Sequence, residues 1–383
     1  MASPFALIAT TPISAKDFSG HVENRKALPR DAAIAQAADR IASNQKHVEL
    51  RNKIALVALL VILLFIAAAE LASGASNIDI PTAVAALFGS GQPSDVAAVQ
   101  SIRLPRVACG VVAGAGLALA GAALQSVLEN PLASSSTVGI SQGAAFGATV
   151  AILVVVPALG GTAAAINMGT TAVFAFVGAM VSSLVVLAFS KLGQMRAESI
   201  ILVGVALSAL WSGASTILQY FASDVELTRV IFWQFGDLGR ATWSQLGFMT
   251  VVNIACAVYF FANRWNYNAL QNGGHVAGGL GVDVQKTRVL GVAVASLMAA
   301  SIVSFVGLIN FIGLIAPHIA RRIVGNDYRY LLPASLVLGS VIMLGSDLLA
   351  RMVISPIILP IGAITSFLGA PLFLVLLYRG FKR

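Results

Sequence analysis

Residues 103–148 read RLPRVACGVVAGAGLALAGAALQSVLENPLASSSTVGISQGAAFGA. Two arginines, Arg103 and Arg106, flank Pro105, and the next charged residue is Glu129. The uncharged run between them is as long as the roughly 20 apolar residues that cross a bilayer as a helix. Within it, Gly110, Gly114, Ala118 and Ala122 recur every four residues, and Gly139, Gly143, Gly147 and Ala151 repeat the pattern beyond the Asn130-Pro131 break. Small residues at that spacing form ridges on which two helix backbones touch inside a membrane. Bundle packing is the plainer reading of these ridges, and lining of a transport path is the alternative. The stretch therefore predicts a polytopic helical membrane protein.

The rest of the chain extends that prediction. Uncharged or nearly uncharged runs recur at about 54–72, 107–128, 138–157, 170–190, 199–221, 244–262, 289–308, 332–354 and 361–378, each near the length of a span. A further apolar stretch at 311–324, interrupted by Pro317, is too short for a full crossing and predicts a short or re-entrant helix. Counting it gives a ten-helix bundle with both termini on one side. With the N-terminus inside, the inner loops collect Lys191, Arg196, Arg264, Lys286, Arg288, Arg321, Arg322, Arg329, Arg379, Lys382 and Arg383, and the outer ones only Arg103, Arg106, Arg229, Arg240 and Arg351. That asymmetry obeys the positive-inside rule and predicts cytoplasmic termini. The breaks at Pro131, at Gly313 with Pro317, and at Pro356 with Pro360 imply irregular backbone that is buried in protein or lines a cavity.

Composition excludes a soluble globular chain: 58% of the 383 residues are hydrophobic and 10% are charged, with a mean hydropathy of +0.87. The net charge of +8 is a matter of membrane orientation. No basic face with interleaved aromatics calls for nucleic acid. Residues 1–53 form a polar, mixed-charge segment without a signal-peptide core, expected to remain as a cytoplasmic tail ahead of a transmembrane domain over 54–383. Within the tail, 31–48 carries Ile34, Ala38, Ile41 and Val48 at helical spacing, readable as a weakly amphipathic helix or as a solvated tail. Cys109 and Cys256 lie in separate apolar runs and read as small buried hydrophobes.

No GxxxxGK[ST] phosphate loop occurs, so any coupling to ATP belongs to another subunit. The histidines, at 21, 47, 275 and 318, lack metal-ligand spacing, and no nucleophile set is suggested, which predicts neither a metal site nor catalytic residues in this chain. Charges near the spans are few: Glu70 in the first, and Asp347 four residues before Arg351, a favourable helical pair. A proton-driven carrier ordinarily shows more ionisable groups in mid-span. The polar stretch 263–288 carries Gly273, Gly274, Gly278, Gly279 and Gly281, predicting short helices in a compact knob able to receive a partner, with a flexible connector as the alternative.

Residues 103–148, together with FVGLINFIGLIAPHIARRIVGNDYRYLLPAS from Phe305, SDLLARMVISPIILPIGAITSFLGAPLFLVLLYR from Ser346 and ILVGVALSAL ending at Leu210, resemble the hallmark stretches of the FecCD-type permeases. These are membrane subunits of bacterial and archaeal ABC importers for iron-siderophores, haem and cobalamin. The likeness runs through about 330 residues and leaves out only the tail. It implies a permease in the cytoplasmic (inner) membrane, paired with a second copy of itself or a paralogous permease, two ATPase subunits that carry the ATP and Mg, and an extracytoplasmic substrate-binding protein. It further implies that Arg103, Arg106 and Arg351 dock the binding protein and that 268–288 is the ATPase-coupling loop. The expected cargo is an iron complex, foremost a ferric siderophore, with haem or cobalamin as alternatives. The rivals from other classes are an ion-coupled secondary transporter and a structural scaffold. The chain departs from the family pattern at Ile358-Leu359-Pro360, where several relatives carry an acidic residue.

Overall fold

A computed structural model describes residues 30–74, 78–160, 164–192, 197–354 and 357–381. Residues 1–29 of the expected tail, and Pro356, lie outside the described residues. Among the described residues the chain is helical with no strand. The helices are α1 (Arg30–Ala72), α2 (Ile80–Leu87), α3 (Pro93–Ala98), α4 (Leu104–Val127), α5 (Ile140–Val150), α6 (Val156–Ala158), α7 (Ala164–Leu192) and α8 (Ala197–Tyr220). They continue with α9 (Asp224–Gln234), α10 (Trp243–Ala262), α11 (Arg264–Leu270), α12 (Gly274–Gly279), α13 (Val284–Val306), α14 (Ile312–Val324), α15 (Tyr328–Met352) and α16 (Ile361–Phe381). Contacts divide the chain into two units, residues 1–51 and 52–383, and the helical bundle is built by the second.

Eight helical stretches are long and apolar enough to cross a membrane: Asn44–Ala72, Pro93–Val127, Ile140–Ala158, Met168–Phe189, Ser199–Tyr220, Trp243–Ala262, Val284–Val306 and Tyr328–Met352. Helix α16 and the short α14 complete the ten-helix bundle expected from the sequence. Helix is the outcome because a chain in hydrocarbon must satisfy every backbone N–H and C=O within its own segment. One crossing, Pro93–Val127, is longer than the apolar pattern alone marks, and two are built with a π turn. A π turn at Val99–Arg103 joins α3 to α4, and another at Ala151–Val155 joins α5 to α6.

Helix α4 is the axis of the bundle. In its apolar window 78% of the residues are buried, against 17% for α8, which marks α4 as interior and α8 as a face left for lipid or a partner. The small-residue ridges make this possible. A Cβ on Gly114 would collide with the carbonyl of Gly339 in α15, one on Gly121 with the carbonyl of Gly313 in α14, and one on Gly116 with Asn253 in α10. Gly143 and Gly147 of α5 meet the carbonyls of Gly178 and Phe174 in α7 in the same way. At Gly114, Gly121, Gly143 and Gly147 glycine is needed because backbone packs on backbone, and at Gly116 because the Asn253 side chain fills the space; this supplies the close van der Waals contact that associates helices in lipid.

Candidate functional site

Helix α4 carries its two functional ends about 20 residues apart, Arg106 near one and Val127 near the other. Buried polar groups ring each end, and membrane interiors tolerate such groups only when they are paired.

At the Arg106 end, five charged side chains from four segments meet. Arg106 Nε and Nη2 donate to Asp347 Oδ2 and Oδ1, each at 2.8 Å, and Arg106 Nη1 lies 3.6 Å from Asp237 Oδ1 in the turn after α9. Arg351 Nε lies 3.3 Å from Asp347 Oδ2, its Nη2 pairs with Glu70 of α1, and its Nη1 donates to Ser73 O at 3.0 Å. Asp347 is 1% exposed and Glu70 0%, so this network works in low dielectric, where a two-pronged guanidinium–carboxylate pair is strongest. Arg103 joins from the π turn, donating through Nη1 to the carbonyls of Leu71 at 2.8 Å and Ala72 at 2.6 Å. The three arginines singled out in the sequence are thus brought together at one end of the bundle. They are buried or nearly so, with their guanidinium groups occupied inside the chain.

At the Val127 end, the stretch 263–288 forms α11 and α12. Helix α11 is fixed to the bundle by aromatic and amide groups. Tyr267 and Tyr328 are wholly buried with ring centroids 5.6 Å apart, and Tyr328 Oη donates to Ala122 O of α4 at 2.9 Å. Asn268 accepts from Tyr328 N at 2.8 Å and donates to Asp327 Oδ1 at 3.0 Å. Ser126 Oγ donates to Tyr267 O at 3.3 Å. Burial pushes the Asp327 carboxyl up, but hydrogen bonds from Arg329 and Asn268 outweigh it and hold the group below its ordinary value. Arg288 closes the base by donating to Val127 O at 2.8 Å and pairing with Glu129 at 2.7 Å.

Helix α12, by contrast, is presented outward. Gly273 and Gly281 take φ of +93° and +85°, which glycine adopts at no steric cost, and so turn the chain on either side of the helix. Nothing lies within 4 Å of where a Cβ would stand on Gly278 or Gly279, and Val276 and Leu280 are 51% and 68% exposed. Gly274 faces Glu129, Val284 and Arg288. Beside this hairpin a cavity of about 620 Å³ is lined by Gln125, Pro131, His318 and Arg321, among others. Arg321 donates to Gln125 across it, and Gly273 is on its rim. Glu129, two residues before Pro131, has a φ of +46°, and the Asn130-Pro131 break is a turn that lines this cavity. Pro317 sits buried within α14, next in the chain to the cavity-lining His318.

The remaining ridge residues are accounted for by packing. A Cβ on Gly110 would strike Leu344 and crowd Leu238. Gly139, at a φ of +83°, caps α5 where α7 and α8 converge, its carbonyl accepting from Ser182 Oγ at 2.9 Å. The network residues Asp237, Glu129, Tyr267 and Tyr328 were not singled out in the sequence, and Asn268 was named only as the start of the expected coupling loop. Their partners are 59 to 206 residues away in most cases, and no local pattern marks them.

A family model described as the FecCD transport family matches residues 59–379. A Methanocaldococcus jannaschii protein described as an ABC transporter permease is 42% identical over 339 residues, 87% of this chain and 97% of that protein. The hemin transport system permease of Yersinia pestis is 34% identical, over 73% of this chain and 82% of its own. Other relatives are named for import of cobalamin, iron(III)-citrate and molybdate. The fold is similar, with a TM-score of 0.73 and 29% identity, to a solved structure described as an inward-facing metal-chelate type ABC transporter, over 85% of this chain and 99% of that one.

Proposed function

The chain belongs to the FecCD transport family and is a permease subunit of the ABC transporter kind, and from that premise we propose that it forms the membrane path of an ATP-driven importer for a metal chelate, foremost a ferric siderophore. The observation that carries this is the pairing of a rigid, glycine-seamed bundle with a small outward helix, α12, rooted in it through Tyr267, Asn268 and Arg288. A helix held that firmly at its base, yet exposing Val276, Leu280 and two unobstructed glycines, is built to pass a partner's movement into α4 and α15. That partner is an ATPase subunit, which brings ATP and Mg. The family resemblance supports two such subunits and a second permease copy.

The substrate class rests on relatives named for hemin, cobalamin and iron(III)-citrate, all metal chelates, while another relative is named for molybdate, an oxyanion. Hemin and cobalamin fit the same architecture. The positive-inside distribution supports cytoplasmic termini in the cytoplasmic membrane, with residues 1–53 as an inner tail and 54–383 as the permease domain. An extracytoplasmic binding protein then docks at the Arg106 end. Arg103, Arg106 and Arg351 serve that docking by holding the end in shape, since their guanidinium groups are already engaged internally.

Co-purification tests the assembly. Extracted gently from its native membrane, the tagged chain is expected to bring down an ATPase subunit and, on addition of substrate-loaded binding protein, a ternary complex. A chain that purifies alone from cells expressing its neighbours, and retains transport, is a secondary carrier.

A further inference from the structure

A second cavity, of about 400 Å³, opens at the Arg106 end between α7, α9, α10 and α13. Its walls are apolar, with Met168, Phe232, Trp233 and Phe305 prominent, and two cations enter it, Arg229 and Arg240. Arg240 donates through Nη2 to Phe232 O at 3.1 Å, while its Nη1 is buried and meets no hydrogen-bond partner. Burial also lowers the basicity of this guanidinium, with Asp237 opposing. A donor so placed awaits an acceptor from outside the chain.

The position and chemistry of the cavity name that acceptor. Its lining comes from within about a turn or two of the helix ends: Thr171 near the start of α7, Gln245 in the first turn of α10, and Ser304 and Phe305 in the last turn of α13. The ends of membrane-crossing helices are where a chain meets the lipid headgroups. Its lip carries Met168 at 44% and Phe232 at 62% exposure, so apolar surface continues from the cations outward. Free phosphate would use the arginines and leave the aromatic walls unmatched. A lipid with an anionic head and acyl chains uses both, as basic pockets between membrane helices do. We propose that this cavity binds an anionic membrane phospholipid, its phosphate held by Arg240 and Arg229 and its first acyl carbons against Phe232, Met168 and Phe305.

Native mass spectrometry of the delipidated full chain with added dioleoylphosphatidylglycerol or dioleoylphosphatidylcholine tests this. The wild type is expected to retain phosphatidylglycerol at about tenfold lower concentration than phosphatidylcholine, whose phosphate is the same but whose choline cation is repelled by the two arginines. Arg240→Gln should abolish the preference, Arg240→Lys should restore part of it, and Arg229→Gln, at an exposed position that leaves the fold intact, should weaken it. Millimolar inorganic phosphate should not displace the lipid. Equal retention of the two lipids, an unchanged preference in Arg229→Gln together with Arg240→Gln, or displacement by phosphate alone would each overturn the proposal.

Discussion

Asp347 accepts two hydrogen bonds of 2.8 Å from Arg106, which lies 241 residues earlier in the chain, and this clasp ties α15 to α4. The same carboxylate is 3.3 Å from Arg351, whose other partner is Glu70 of α1. Two buried anions, Asp347 and Glu70, therefore balance two cations, and the group links α1, α4 and α15. Removing one member of such a group leaves uncompensated charge in low dielectric, at a cost of about 3–5 kcal/mol. Asp347→Ala should accordingly lower the thermal midpoint of the detergent-solubilised protein sharply. Arg106→Leu combined with Asp347→Leu should cost less than the sum of the two single changes, and a double-mutant cycle in thermal unfolding measures the difference.

The glycine seams give a contrast between positions. Gly121→Val drives a side chain into the backbone carbonyl of Gly313, which cannot yield, and should abolish stable insertion or cost at least about 1–3 kcal/mol. Gly213→Ala, with nothing within 4 Å of its Cβ, should be neutral or slightly stabilising within its helix. Yield of monodisperse protein after extraction reads both.

Much of the fold was legible in the sequence. The spans were visible because hydrocarbon demands unbroken apolar helices, and the ridges at Gly110 and Gly143 because a four-residue repeat of small side chains is a local pattern. The i, i+4 relation of Asp347 and Arg351 was equally local, and it is present. What the sequence concealed is that Arg106, not Arg351, makes the shorter and two-pronged contact to Asp347, since a partner 241 residues away leaves no local trace. The anchoring of α11 was hidden for the same reason, as Tyr267, in the polar stretch 263–288, and Tyr328 are far apart in the chain until the fold brings their rings to a centroid distance of 5.6 Å. The helices α2, α3 and α9 escaped because they are short and are fixed by caps and tertiary contacts, such as the Ser223–Glu226 capping box, instead of by a long apolar period.

Coupling through α12 predicts separable effects. Gly278→Leu and Gly279→Leu meet open space, so the bundle should keep its stability, while transport and substrate-stimulated ATPase activity of the assembled complex fall at least about tenfold, the loss of roughly 1.4 kcal/mol of contact. Unchanged stimulation would make the α11–α12 segment a connector.

The seat of that hairpin should respond to acid. Because Asp327 is held below its ordinary carboxylate value in the fold, its contribution is complete above about pH 5 and is lost as pH falls through the depressed value. Limited proteolysis within 264–281 should therefore accelerate as pH drops below about 4, and Asp327→Asn should show the accelerated rate already at neutral pH.

Arg103 separates the two ways in which the cation-rich end could serve docking. Arg103→Gln forfeits the charge-assisted bonds to the Leu71 and Ala72 carbonyls and should cost about 1–3 kcal/mol of stability. The salt dependence of binding-protein association in nanodiscs should stay as in the wild type. A flattened salt slope at unchanged stability would assign the arginine to direct contact with the partner.

Whether ATP drives this permease is decided by uptake of radiolabelled ferric siderophore, hemin or cobalamin into proteoliposomes holding the chain with and without its ATPase, with loaded binding protein outside. Accumulation is expected only when the ATPase is present and ATP is hydrolysed, and none when a proton or sodium gradient is imposed on the chain alone. Gradient-driven accumulation by the chain alone would contradict an ATP-driven importer.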